Sequence, residues 1–123
     1  MEVTSYRQLT VWKRAMDAAS AIYALSDRMP KREEYRLTSQ MIRAAISVPA
    51  NIAEGKARST RKDYAHFISI ARGSAAELET LLLLAERASL LPREDVRETL
   101  AVVEEVGRML SALHAKLKAS PST

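Results

Sequence analysis

The chain contains no cysteine, which excludes disulfides, thiolate metal sites and a cysteine nucleophile. Three glycines and four prolines leave little material for turns, and aromatic residues make up only 5%. With β-formers this sparse, sheet is disfavoured. Apolar runs stop at five residues, as in Leu81-Leu82-Leu83-Leu84-Ala85, far short of the roughly 20 that a membrane-spanning helix requires. The opening Met1-Glu2-Val3-Thr4-Ser5-Tyr6-Arg7 lacks the basic start and apolar run of a secretory signal. These absences lead us to expect a soluble, cytoplasmic protein without a membrane partner.

What is abundant is alanine, leucine, arginine, glutamate and lysine, the residues that lose least freedom in a helix. Four periodic segments follow, read as helices over about 8–28, 33–54, 60–89 and 93–118. In the first, Trp12, Ala15, Ala19, Ile22 and Leu25 or Ser26 share one side, and Met29-Pro30 ends it. In the second, Leu37, Met41, Ile42, Ala45, Val48 and Ile52 form the apolar face. Pro49 lies inside this pattern and predicts a kink rather than a stop, while Gly55 predicts a left-handed C-terminal cap. Thr60 and Asp63 have capping-box spacing at the start of the third helix, whose stripe runs from Tyr64 through Phe67, Ile68, Ala71, Ala75, Leu78, Leu81 and Leu82 to Ala85. Pro92 suits the first turn of the fourth, in which Val96, Leu100, Val103, Val106, Leu110, Leu113 and Leu117 recur at near-heptad steps. Residues 119–123 read as a frayed tail.

Short connections between four such helices predict an all-α fold, an antiparallel up-down four-helix bundle, with residues 1–123 as a single domain. Leu83 and Leu84, together with Ala15, Ala18, Ala19 and Ala21, exceed the apolar surface that four helices need internally. The surplus predicts an interface between copies.

Catalytic groups are scarce. Asp63 and His66 have the i, i+3 spacing of dinuclear metal sites in helix bundles, but no second such pair accompanies them. The other histidine is His114. Glu33-Glu34, Glu77-x-Glu79 and Glu104-Glu105 are carboxylate pairs whose members diverge around a helix instead of converging on one proton. No serine has a nucleophile-elbow setting, and Gly55, Gly73 and Gly107 stand alone rather than in a phosphate loop. The expectation is a protein that is not an enzyme, with no metal and no cofactor.

Charge is unevenly spread. Residues 1–73 carry 13 Lys+Arg against 7 Asp+Glu, whereas residues 74–123 carry 6 against 8. Its sharpest feature is Lys56-Ala57-Arg58-Ser59-Thr60-Arg61-Lys62, at the break between the second and third helices. Lys56, Arg58, Arg61 and Lys62, beside two hydroxyls and a helix N-terminus, have the composition of a nucleic-acid phosphate site. The same residues also fit a solvated loop whose cations complement the negative end of the second helix.

Leu9-Thr10-Val11-Trp12, the run from Tyr35 to Gly55 that ends Ser47-Val48-Pro49-Ala50-Asn51-Ile52-Ala53-Glu54-Gly55, and Phe67-x-x-Ile70-Ala71-Arg72-Gly73-Ser74-x-x-Glu77-Leu78-Glu79 together resemble a known family. It is that of the four-helix-bundle proteins encoded by intervening sequences of 23S ribosomal RNA genes. The resemblance covers about residues 5–91, the fourth helix being generic. It implies a homopentameric ring and no established catalytic activity. The family is similar to accessory subunits of diversity-generating retroelements, which bind a reverse transcriptase and RNA. Within the shared motifs, Arg43, Asn51, Glu54, Ser74 and Glu77 stand beside apolar stripes. They suggest a partly buried polar network that fixes helix register or a subunit interface. Two functional readings remain: an oligomeric scaffold that binds RNA or DNA through the basic cluster, and a protein–protein adaptor or accessory subunit that docks on a partner enzyme.

Overall fold

A computed structural model describes residues 5–119. The helices are α1 (Thr10–Ser26), α2 (Leu37–Lys56), α3 (Arg61–Arg87) and α4 (Arg93–Lys118), with short 3-10 turns at Tyr6–Gln8 and Lys31–Glu33. No strand occurs among the described residues. Residues 120–123, most of the tail expected to fray, lie outside them.

The helix ends differ from the sequence reading for local reasons. The first helix, expected from Gln8, starts at Thr10 because Ser5 and Gln8 close a reciprocal cap around their own 3-10 turn and Leu9 is extended. The second, expected from Glu33, starts at Leu37. Glu33 is buried in its own turn and its Oε1 accepts the Leu37 backbone N–H at 3.3 Å, occupying one of the donors that a helix start leaves unpaired. The predicted left-handed cap at Gly55 is absent: α2 runs on to Lys56, and the cap residue Ala57 keeps helical geometry. Gly55 serves close approach instead. A Cβ there would come within 2.9 Å of Phe67 Cβ and 3.2 Å of the Tyr64 carbonyl oxygen, so α3 crosses directly over it. The second helix continues unbroken through Pro49, whose ring is buried.

The left-handed residue is Ser89, at φ 60° after α3. Its N–H donates to Glu86 O at 3.0 Å, and Leu90 N–H reaches back to Ala85 O at 2.9 Å. That pairing is a Schellman closure, and it stops α3 at Arg87, before the expected Ser89. Pro92 stands just ahead of α4 in extended geometry, as its N-cap and not inside its first turn.

Side-chain pairings set the topology. Arg14 on α1 meets Glu105 on α4, Arg28 just past α1 meets Asp95 at the start of α4, and Arg61 at the start of α3 meets the last carbonyls of α4. Successive helices therefore run antiparallel, up and down a four-helix bundle. The core divides along its length. One cluster joins Ile22, Met41, Leu78, Leu82, Val96 and Val103; the other joins Val11, Val48, Ile52, Ile68, Val106 and Leu110. Ala15, Ala18 and Ala19 are buried inside these clusters, because α1 packs closely on its neighbours through small side chains. They are thus not the surplus surface expected of them, and Ala21 is half-buried; the large exposed apolar residues of α1 are Met16 and Tyr23. Leu83 and Leu84 do remain exposed.

Candidate nucleic-acid interface

The antiparallel course brings three chain segments to one end of the bundle: the entry to α1, the α2–α3 junction and the last turn of α4. The junction carries all four cations of the sequence cluster, and their settings differ. Lys56 Nζ lies 5.8 Å from the Tyr64 ring centroid, on the face where a cation is attracted to π density. Arg58 stacks 4.6 Å over Phe67 and pairs with Glu54 at 2.9 Å, one helical turn back. Lys62 is exposed, with no ion pair to another described residue. Arg61 is the exception. Its Nη2 donates to Lys116 O at 2.7 Å and its Nε to Leu117 O at 3.2 Å.

Local structure holds the junction open. Thr60, three residues after Ala57, caps α3: its Oγ1 accepts the Asp63 backbone N–H at 3.1 Å. Tyr64 and Phe67, half-buried against Gly55, supply the rings beneath the cations, and burial pushes the Tyr64 phenol above its usual pKa. Since α4 ends here, Lys116 and Lys118 arrive from the more acidic half of the sequence. Counting charge by halves hid them; the antiparallel pairing of α3 with α4 would have placed them here. Glu54 and Asp63 are the carboxylates of these segments.

The polar residues read as one network separate into three places. Asn51 Nδ2 donates to Ser47 O at 2.8 Å and to Ser47 Oγ at 3.0 Å, and Ser47 Oγ shares a 2.7 Å hydrogen bond with Ser74 Oγ. This half-buried chain ties α2 to α3. Ser47 was missed, although it lies one turn before Asn51 on the same helix face. Arg43 and Glu77 pair across the same two helices at 3.5 Å, with both side chains largely in solvent, and Arg43 also donates to Gln40. Glu54 belongs to neither group and faces outward to Arg58.

Two grooves flank the helices. Between α1 and α2 an apolar groove of about 410 Å³ is lined by Trp12, Met16, Tyr23, Ile46 and Pro49, with Tyr6 packed edge-on against Trp12 at 5.3 Å. Between α3 and α4 a groove of about 750 Å³ is bordered by the charged Arg72, Glu79, Glu104 and Arg108 over Gly73 and Gly107. Burial, with Glu104 adding repulsion, raises the Glu79 pKa. His66 packs edge-on against Phe67, and His114 Nδ1 lies 3.2 Å from Arg72 Nη1. Among the described residues no three histidine or carboxylate side chains stand together as metal ligands, and no helix is long and apolar enough to cross a membrane.

The model of the 23S rRNA-intervening sequence protein family matches residues 7–112. The chain belongs to that family. Consistent with membership, its fold is similar to the crystal structure of a protein of unknown function from the S23 ribosomal protein family of Bacteroides thetaiotaomicron, with a TM-score of 0.80. At 24% identity, over 89% of this chain and 100% of that one, the likeness is one of fold. No curated protein matches the sequence. The family match spans α1 to α3 and most of α4, but stops before Lys116 and Lys118.

Proposed function

We propose that this intervening-sequence protein is a non-catalytic, homo-oligomeric scaffold of the cytoplasm that binds RNA or DNA through the basic end of its bundle. The observation that carries this reading is the setting of the cations there. Lys56 and Arg58 rest on aromatic rings, Lys62 stands free of ion pairs with described residues, and the last turn of α4 adds two more lysines. Rings lie beneath Lys56 and Arg58 and only Arg58 among these cations pairs with a described carboxylate, Glu54, so the end keeps a positive potential that phosphates can meet. Assembly is supported by the apolar groove between α1 and α2, where Met16, Tyr23 and Ile46 are exposed side by side. A ring of copies, the pentamer that the family likeness implies, would repeat the basic end several times and raise avidity.

The apolar groove also supports the second reading, an adaptor that docks on a partner enzyme such as a reverse transcriptase without touching nucleic acid. Electrophoretic titration with RNA and with DNA at two salt concentrations separates the two. The scaffold binds at low salt and loses affinity steeply as salt rises, and Lys56→Glu, Arg58→Glu and Lys62→Glu together abolish binding with helix content unchanged. Failure of the wild type to retard either nucleic acid at low salt overturns the scaffold reading and leaves the adaptor. Light scattering at micromolar concentration tests assembly, and a monomer there contradicts it.

A further inference from the structure

We infer that the phosphate-binding surface is built from two segments distant in sequence, the α2–α3 junction and the last turn of α4, and that Arg61 joins them rather than contacting phosphate. The inference rests on the nucleic-acid reading above. Arg61 lies 55 and 56 residues before the two carbonyls it engages. Those carbonyls are among the last four of α4, which have no partner within their own helix and carry the negative pole of its dipole. A guanidinium presents its N–H groups in a rigid planar fork, and here one edge of that fork spans two successive carbonyls. With Nε and Nη2 so engaged, Arg61 is the cation of the cluster least available to a ligand.

The consequence falls on Lys116 and Lys118. Both side chains are exposed. Two residues apart on a helix, they leave it on opposite flanks of Leu117, which packs against the core, so both edges of the turn are positive. Docked by Arg61, that turn stands beside Lys62 and continues the positive surface across the bundle end. Released, it would be a fraying helix terminus whose lysines are no longer held in register with the junction. Arg61 is therefore a positioning residue, and α4 supplies binding residues outside the span that the family model matches.

The test uses the full chain with a 30-nucleotide single-stranded RNA and a DNA duplex of the same sequence, measuring affinity against salt. For Lys116→Gln with Lys118→Gln, the log–log slope should become shallower by about 0.7–0.9 for each lysine that meets a phosphate. Arg61→Lys keeps the charge and loses the fork, so it should weaken binding and speed amide hydrogen exchange in the last turn of α4. In an Arg61→Gln background, the two lysine changes should matter less than in the wild type. If wild type binds but the lysine pair leaves the slope unchanged, the two-segment surface is wrong while the nucleic-acid reading stands. Should Arg61→Lys bind and exchange as the wild type does, Arg61 acts as a plain charge and the positioning role is overturned. A wild type that binds neither probe removes the reading beneath both. The RNA and DNA arms show which phosphate backbone is preferred.

Discussion

The two ends of the bundle treat their cations in opposite ways. At the end where α1 leaves and α4 begins, cations meet carboxylates. Arg28 pairs with Asp95 at 2.5 Å, Arg97 grips both oxygens of Glu86 at 3.0 and 3.1 Å, and Arg36 lies 3.7 Å from Glu33. At the other end they meet aromatic faces and helix carbonyls, and among the described residues only Arg58 has a carboxylate partner at close range. A cation held by a ring or a carbonyl is positioned but still carries its full charge outward. Paired with a carboxylate, it contributes little field beyond the pair. Net charge, +4 for the whole chain, conceals a neutralised end and a positive one.

This contrast belongs to the surface; the cores beneath should behave alike. Leu82 in one cluster and Leu110 in the other are both fully buried. Replacing either by alanine should cost about 2–5 kcal/mol in chemical denaturation. A loss below about 0.5 kcal/mol at Leu110 alone would mean that the basic end is loosely packed and that its cations are not held as described.

Gly55 sharpens the comparison from the packing side. With Phe67 Cβ at 2.9 Å and the Tyr64 carbonyl at 3.2 Å, a methyl group at Gly55 forces α2 and α3 apart directly under the rings that carry Lys56 and Arg58. Gly55→Ala should therefore destabilise by about 1–3 kcal/mol. Gly73, whose Cβ would meet nothing within 4 Å, should instead gain about 0.5–1 kcal/mol as alanine, since glycine is the poorer helix former. Thermal melts of the two variants that move in the same direction would refute the close-approach account.

At the neutralised end, Ser89 in the left-handed region sits where glycine would be unstrained. Ser89→Gly should raise stability by about 0.5–1 kcal/mol, the gain in geometry being partly offset by the entropy of the unfolded chain.

The smallest effects are those of pH. Arg97 holds the Glu86 carboxyl below the usual range through its hydrogen bonds, as Arg14 does for Glu105. A depressed pKa adds stability above the unfolded value and loses it as pH falls through the folded one. Glu86→Gln should thus lower the melting temperature slightly near neutrality and not at all in acid. Glu79 has the opposite sign, since burial and Glu104 raise its pKa. The folded state then binds its proton more tightly, so stability falls as pH rises through the carboxylate range, and Glu79→Gln should help near neutrality. Melting curves of both variants at neutral and acid pH check the pair of signs.

Much of this was legible in the sequence, and the failures have identifiable causes. Apolar periodicity located the four helices and the buried seam from Val96 to Leu110, because burial repeats at the pitch of the helix. Helix ends were misplaced where local hydrogen bonding competes with propensity, as at Glu33 under Leu37, or where a glycine answers a neighbouring helix instead of its own backbone, as at Gly55. The alanines of α1 look like surplus surface in a list and are buried in the fold, since small side chains let helices approach. The basic cluster was visible as a run of residues. Its completion by Lys116 and Lys118, and the diversion of Arg61 to α4, depend on antiparallel pairing between segments more than fifty residues apart. Asn51 and Ser74 were found without Ser47, the hydroxyl that links them.

The most direct measurement of the central claim is the salt dependence of RNA affinity for wild type and for the Lys56→Glu, Arg58→Glu, Lys62→Glu variant. Three or more phosphate contacts give a log–log slope of about −2 or steeper on single-stranded RNA, and the variant should show no binding at any salt. Wild-type affinity that is flat with salt, or a variant that binds as tightly as the wild type, would contradict a positive end built to meet phosphate.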